Sequence, residues 1–283
     1  MGKRAAKTSL GKSKEDVRRK STRDTSRNIQ GQLRGEIRIL PIAVEDEIRS
    51  VSSLSSILLA AARTLGLSFE VDDILVVKHK IVSKAEGTMV SLDTIQPSAA
   101  SRAWARRYKL DARVCELALR ESRRIVRRKR GVLITETRHG FICANSGVDV
   151  SNVDGGQHAL LLPKDPDRSA AALRREIKKA AQVEIAVIIS DSFGRPWREG
   201  LTEVAIGVAG MRPLVDYRGQ CDRHGYVLHS TIDAVADELA CAAGLVCGKL
   251  ERVPACIVRG YPYRRGNGRA SELLRPAERD LFR

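Results

Sequence analysis

The chain has 283 residues, 43% hydrophobic and 4% aromatic, with 50 Lys+Arg against 34 Asp+Glu and a formal net charge of +16. Such a length allows one large domain or two intimate ones. No apolar run of about 18 residues is present, which argues against a transmembrane helix, and the basic N-terminus lacks the apolar stretch of a secretory signal. The charge favours anionic partners: nucleic acid, phosphate-bearing small molecules or anionic lipid.

Half of the excess sits in residues 1–35, with 11 Lys/Arg and 3 Asp/Glu; the remaining 248 residues carry 39 against 31. This first segment is rich in Ser, Thr and Gly and poor in apolar residues, so it reads as a disordered basic extension. It is either a solvated tail or a tether for nucleic acid. Residues 36–283 form the expected folded domain, with two intimate subdomains as an option.

Within it, "EIRILPIA" reads as a strand ending at Pro41. Ser52–Gly66 reads as a helix with a Ser cap and a terminal Gly. "DDILVVKHKIVSKAEG" reads as an apolar strand running into a basic turn. Residues 101–130 hold 12 Lys/Arg against 3 Asp/Glu. Their apolar positions Leu110, Val114, Leu117, Ala118 and Ile125 fit one face of a long helix, or of two. Short strands are expected at Gly131–Glu136 and Gly140–Ala144 and in "HALLLP". A helix follows in "DPDRSAAALRREIKKAAQ", then a buried strand Val183–Ser190 ending at Asp191, and a strand in "TEVAIGVAG". A helix over Thr231–Gly248 and a core strand in "VPACIVRG" complete the series. This mixture is α/β, or mixed α+β. The six cysteines form no C-x-x-C pair and several lie in apolar runs, so they read as reduced core residues of a cytoplasmic protein.

Three stretches carry chemistry. "GVDVSNVDGG" places carboxylates in a glycine-rich turn of a basic protein, where they call for a partner: an Arg, a helix N-terminus or a metal ion. Asp191, at the end of a buried strand, stands where α/β proteins place ligand contacts. It is followed by Ser192 and by Arg195 and Arg198, donors for phosphate or carboxylate. If Asp149 and Asp191 converge they form a hard-oxygen site suited to Mg²⁺ or Mn²⁺, with Asn152 able to donate to a phosphate or nucleotide. His79, Lys80 and Lys84 follow another apolar strand and suit a triphosphate. There is no G-x-x-x-x-G-K-[ST] or G-x-G-x-x-G motif, so any nucleotide site belongs to neither a P-loop nor a Rossmann fold.

Taken together, these residues resemble the coenzyme F420-0:L-glutamate ligases, the F420 γ-glutamyl ligases. The matching stretches are "LPI", "HKIVSKAEG", "ETRHGFICANSGVDVSNV", "SDSFGRPWREGLTEVAIGVAG", "DYRGQCD" and "GKLERVPACIVRG", in one order from about Glu36 to Gly260. The resemblance implies the γ-glutamyl ligase-like fold and GTP-dependent amide ligation in coenzyme F420 biosynthesis. The γ-phosphate of GTP passes to a carboxylate of F420-0, the acyl phosphate is attacked by the amine of L-glutamate, and further γ-glutamyl additions can follow. It further implies Mn²⁺ or Mg²⁺, as a two-metal site, with K⁺ as an additional ion, and an intertwined homodimer. Carried over, Asp149 and Asp191 match metal-binding catalytic aspartates, and Ser192 stands where the family often has Thr. Asn152, His79, Lys80, Lys84 and the segment Leu40, Pro41, Ile42, Ala43 match nucleotide contacts. Gly248 and Lys249 match a nucleotide and metal segment. The family often has Gln where Lys249 stands; a protonated lysine cannot ligate a cation, and Glu251 is the substitute. The alternatives are a related ligase with another acceptor and a basic nucleic-acid-binding protein, the latter poorly supported without aromatic-interleaved basic motifs.

Overall fold

The computed structural model describes residues 35–45, 47–50, 53–151 and 154–281. The basic extension, apart from Gly35, lies outside them, and so does Asn152. Ile37–Leu281 belong to one compact unit of mixed α/β structure.

Its centre is a five-stranded sheet in the order β1 (Arg38–Ile42), β12 (Ala255–Arg259), β2 (Ile74–Lys78), β8 (Ala186–Arg195), β9 (Arg198–Ala209). Only β2 and β8 run parallel; the other neighbours are antiparallel. Ile74–Val77, Ala255–Val258 and Ala186–Ser190 are buried at every position. Consecutive burial, rather than alternation, means that both faces of these strands are covered. Helix α5 (Pro166–Ala181) packs on β8 and β9, and α6 (Val235–Cys247) packs across β1, β12 and β9. The contact with α5 is so close that a Cβ at Gly207 would lie 2.4 Å from the carbonyl oxygen of Pro166.

Both edges of this sheet are protected against further pairing. On β1, Pro41 sits opposite Cys256 and removes an amide donor, so the strand runs on to Ile42 instead of stopping at the proline. On β9 a bulge shifts the register next to Ser190. Asp237, in the first turn of α6, accepts from Ala205 N at 2.8 Å; Asp167, in the first turn of α5, accepts from Val208 N at 2.8 Å and Ala270 N at 3.0 Å. Two edge amides are thus satisfied by side chains that also tie the helices to the sheet. Burial pushes both carboxyls up, against the pull of those amides.

Helix α1 (Leu54–Thr64) starts after Ser53, whose hydroxyl meets Ser56 Oγ at 2.8 Å and makes no bond to a backbone amide. It ends in a Schellman pair, Gly66 N to Arg63 O and Leu67 N to Ala62 O, which needs the positive φ of Gly66 (68°). The expected basic turn after β2 is a helix, α2 (His79–Ala85), entered directly from Lys78 with no glycine loop.

Residues 101–130 also differ from the expectation. Helix α3 (Ala99–Tyr108) stops at Lys109 in the left-handed region, and Asp111 caps α4 (Ala112–Arg120) by accepting from Arg113 N. The rest is not helical. Ser122–Lys129 forms β4, paired with β5 (Val132–Thr137), which in turn pairs with β6 (Ile142–Ala144). Arginine is a good helix former, but the cross-strand pairing, with Arg124 Nε 2.7 Å from Glu136 Oε2, decides the outcome. Leu110 and Ile125 are therefore exposed, while Leu117 and Ala118 are buried.

The remaining strands are short: β3 (Met89–Ser91) pairs with β7 (His158–Leu160), and β10 (Val215–Asp216) with β11 (Ile232–Asp233). Since β11 takes up Ile232 and Asp233, α6 begins at Val235 and not at Thr231. Cys115, Cys143, Cys247 and Cys256 are buried, Cys241 is half-buried and Cys221 is exposed; all six are free thiols. No helix among the described residues is long and apolar enough to cross a membrane.

Candidate active site

The parallel register of β2 and β8 sets Lys78 beside Ser190. Lys78, His79 and Lys80 therefore leave one strand where Ser190, Asp191 and Ser192 continue along its neighbour. On the other side of β8, Ser192 lies opposite Glu203 of β9. Strand β8 does not end at Asp191. It runs on to Arg195 as one arm of a hairpin, and Asp191 is the point where burial gives way to partial exposure. The hairpin tip carries Arg195 and Arg198 away from this junction; Arg195 Nη2 is bound to Glu199 O at 2.7 Å.

A cavity of about 700 Å³ opens over the junction. Its walls are Val44, Glu45, Glu47 and Ile48 after β1, the start of α2 with Lys84, Ser190–Ser192, Glu203, and, in the loop after α6, Gly248–Leu250 and Arg252–Pro254. Of the residues singled out from sequence, His79, Lys80, Lys84, Asp191, Ser192, Gly248 and Lys249 line it together. Leu40, Pro41 and Ile42 lie in β1, with Ile42 fully buried, and the wall begins just past Ala43 at Val44.

Asp191 and Asp149 are gathered by successive residues of α2. His79, 2% exposed, brings Nε2 within 3.2 Å of Asp191 Oδ1, and its Nδ1 lies 3.4 Å from Ser83 Oγ. The Nε2–carboxylate approach is a close contact without hydrogen-bond alignment. Lys80 Nζ lies 2.7 Å from Asp149 Oδ2 and reaches Ser151 Oγ at 2.9 Å. The acidic turn thus has a lysine as its partner. Asp149 is fixed by a two-way backbone bridge to Leu160, at 3.0 and 2.8 Å, and its Oδ1 accepts from Ser151 N at 2.7 Å. Burial raises the Asp149 carboxyl, but Lys80 and the Ser151 donors more than offset this and hold it below the usual aspartate range.

Glu203, Lys78 and Arg252 were not singled out from sequence, yet all three line the cavity. Glu203 is 6% exposed. Its Oε1 meets Lys78 Nζ at 2.5 Å, Ser192 Oγ at 2.6 Å and Lys249 Nζ at 3.2 Å, while Oε2 accepts from Ser190 Oγ at 3.1 Å. Desolvation raises this carboxyl; Lys78, Ser192 and Lys249 outweigh it, and the group titrates below its ordinary value. The available signals were a charged residue inside an apolar strand, "TEVAIGVA", and a lysine closing another, "ILVVK". Glu251 is exposed, and its carboxylate folds back to accept from Leu250 N at 2.8 Å.

Asp191 lines the cavity and Asp149 lies outside its lining, one residue of α2 further on through Lys80; each supplies hard carboxylate oxygens of the kind that Mg²⁺ and Mn²⁺ prefer. Such ions are commonly held by one or two carboxylates, with substrate phosphate and water completing the shell. No cluster of three or more His, Cys, Asp or Glu forms a ready-made metal cage among the described residues.

The sequence pattern of the F420-0:γ-glutamyl ligases matches residues 44–260, a span that includes all of the cavity wall. The chain belongs to this family. It is 50% identical over 214 residues to the coenzyme F420:L-glutamate ligase of Methanothermobacter thermautotrophicus, covering 75% of this chain and 84% of that protein. To the ligase of the same name from Methanopyrus kandleri it is 42% identical over 252 residues, covering 87% of this chain and 98% of that one. The ligase from Methanocaldococcus jannaschii is 44% identical over 212 residues, 75% of this chain and 84% of that protein. In this γ-glutamyl ligase family member, the acidic and cationic groups of the cavity come from the segment after β1, β2, α2, β8, β9 and the loop after α6, and Asp149 meets them through Lys80.

The Glu203 cluster yields a stability prediction. A carboxyl held below its ordinary value of 4.5 contributes stability fully above that pH, and the contribution is lost as pH falls through the lowered folded value. Glu203→Gln leaves Lys78 buried without its counter-charge, so it should cost about 3–5 kcal/mol at neutral pH. The gap between variant and wild type should narrow as pH falls below 4.5. Urea unfolding at several pH values measures both; equal midpoints at neutral pH would contradict the assignment.

Proposed function

We propose that the chain is a GTP-dependent ligase that joins L-glutamate to coenzyme F420-0 through an acyl phosphate, with further γ-glutamyl additions possible. The observation that carries this reading is the meeting of Asp191 and Asp149 with consecutive residues of α2 beside a lysine-lined cavity, in a chain whose relatives bear the name of that ligase. A carboxylate resists attack by an amine because its charge repels electron pairs. Transfer of the γ-phosphoryl group to the carboxylate oxygen gives an acyl phosphate and GDP. The glutamate amine then displaces phosphate, forms the amide and loses a proton.

In this scheme Lys80, Lys84 and Lys249 attract and orient the triphosphate by charge. Asp149 and Asp191 would hold Mn²⁺ or Mg²⁺, and such an ion would supply charge neutralisation between the phosphate oxygens and the incoming carboxylate. His79, itself buried, keeps the Asp191 carboxylate in place, and Lys80 does the same for Asp149. Holding acceptor, amine and nucleotide together removes an entropic barrier of up to about 7–11 kcal/mol in ideal cases.

The active form is a homodimer in this reading. Trp197 is 79% exposed and Leu201 62% exposed at the β8–β9 tip, an apolar surface of the kind a second copy covers. Sedimentation equilibrium should give twice the chain mass of 31.1 kDa; a monomer at assay concentration would refute this.

Purified protein mixed with F420-0, L-glutamate, GTP and Mn²⁺ should yield a product heavier by one or more glutamyl units by mass spectrometry. ATP and metal-free controls should be inactive. Asp149→Ala or Asp191→Ala should each lower the rate by about a thousandfold, matching the several kcal/mol a metal ion supplies, with unchanged circular dichroism. Near-normal turnover in either variant would rule out the assigned roles.

A further inference from the structure

The cavity contains a second cluster of hard oxygens, separate from the Asp149 and Asp191 carboxylates. Ser192 Oγ and Glu203 Oε1 lie 2.6 Å apart. A hydroxyl and a carboxylate at that spacing make a cation subsite. A cation already occupies it: the Lys249 ammonium donates to Ser192 Oγ and sits 3.2 Å from Glu203 Oε1.

The loop is built to deliver that ammonium. Gly248 ends α6 at φ 53° and ψ −158°, a backbone conformation that favours glycine. A Cβ there would lie 1.8 Å from Glu251 Oε2. The turn sets Lys249 against Ser192 and Glu203, while the loop's own carboxylate, Glu251, folds back over Gly248 and is engaged by Leu250 N. Glu203 Oε1 also carries Lys78 at 2.5 Å. One carboxylate therefore faces two ammonium groups, and a divalent ion added at the same oxygens would meet net repulsion.

We propose that the Lys249 ammonium is a built-in cation at the Ser192–Glu203 subsite, so that each chain takes one divalent ion, at Asp149 and Asp191, and not two. The proposal rests on the nucleotide–metal reading above. It makes one of the two cations that would serve these oxygen clusters covalent, immune to chelators and to metal scarcity.

Equilibrium dialysis of the full chain against Mn²⁺ and a non-hydrolysable GTP analogue, with bound manganese counted by mass spectrometry, tests it. Wild type and Lys249→Arg should bind one Mn²⁺ per chain. Lys249→Gln removes the charge, supplies an amide oxygen and should bind a second ion. The Lys249 side chain is 62% exposed, so these variants should retain the fold. Two ions on wild type, or only one on Lys249→Gln, would overturn the proposal while leaving the ligase reading intact. No bound Mn²⁺ in any form would overturn both.

Discussion

Parallel pairing of β2 with β8 is the constraint on which the site depends. With Lys78 level with Ser190, three donor residues leave one strand beside three acidic or hydroxyl residues of the next. A slip of one residue would turn every side chain to the other face of the sheet, putting Lys78 away from Glu203 and His79 away from Asp191. Ile74–Val77 and Ala186–Ile189 are packed on both faces, so such a slip would exchange the two sets of core side chains and force mispacking, which typically costs about 1–3 kcal/mol per site. The core thus sets the register, and the register sets the chemistry.

Charge balance follows from that geometry. The three acidic groups around the junction each have a nitrogen-bearing neighbour: Asp149 with Lys80, Asp191 with His79, Glu203 with Lys78 and Lys249. At an effective dielectric of about 20, unit charges 4 Å apart interact by roughly 4 kcal/mol, so none of these carboxylates is left buried alone. The same lysines form a wall suited to a polyphosphate. Neutralising the acids and attracting the substrate are done by one set of side chains, and removal of an acid alters both.

Much of this was legible in the sequence, and the failures have physical causes. The buried strands and the amphipathic helices α1 and α5 were readable because their apolar periodicity is strong. Asp191 is noticeable as the first charged group after an apolar run, although the strand continues to Arg195 because hairpin pairing with β9 outlasts the buried core. The basic run 122–129 was misread as helix because its few apolar residues fit helical spacing, while its pairing with β5 is invisible to local patterning. Glu203 escaped notice because a lone glutamate in a strand looks like a solvent-facing residue; only the bulge and the two lysines show that it points inward. The fold after α6 is governed by Gly248, whose role depends on Glu251 three residues later.

The most direct test of acyl-phosphate chemistry is the fate of one oxygen atom. F420-0 labelled with ¹⁸O in its reacting carboxylate is incubated with enzyme, L-glutamate, GTP and Mn²⁺, and the released phosphate is analysed by mass spectrometry. Phosphorylation of the carboxylate, followed by displacement by the amine, predicts one ¹⁸O in each phosphate released per amide formed. Amide formation with unlabelled phosphate would show that GTP is cleaved without activating the carboxylate, and would contradict the account.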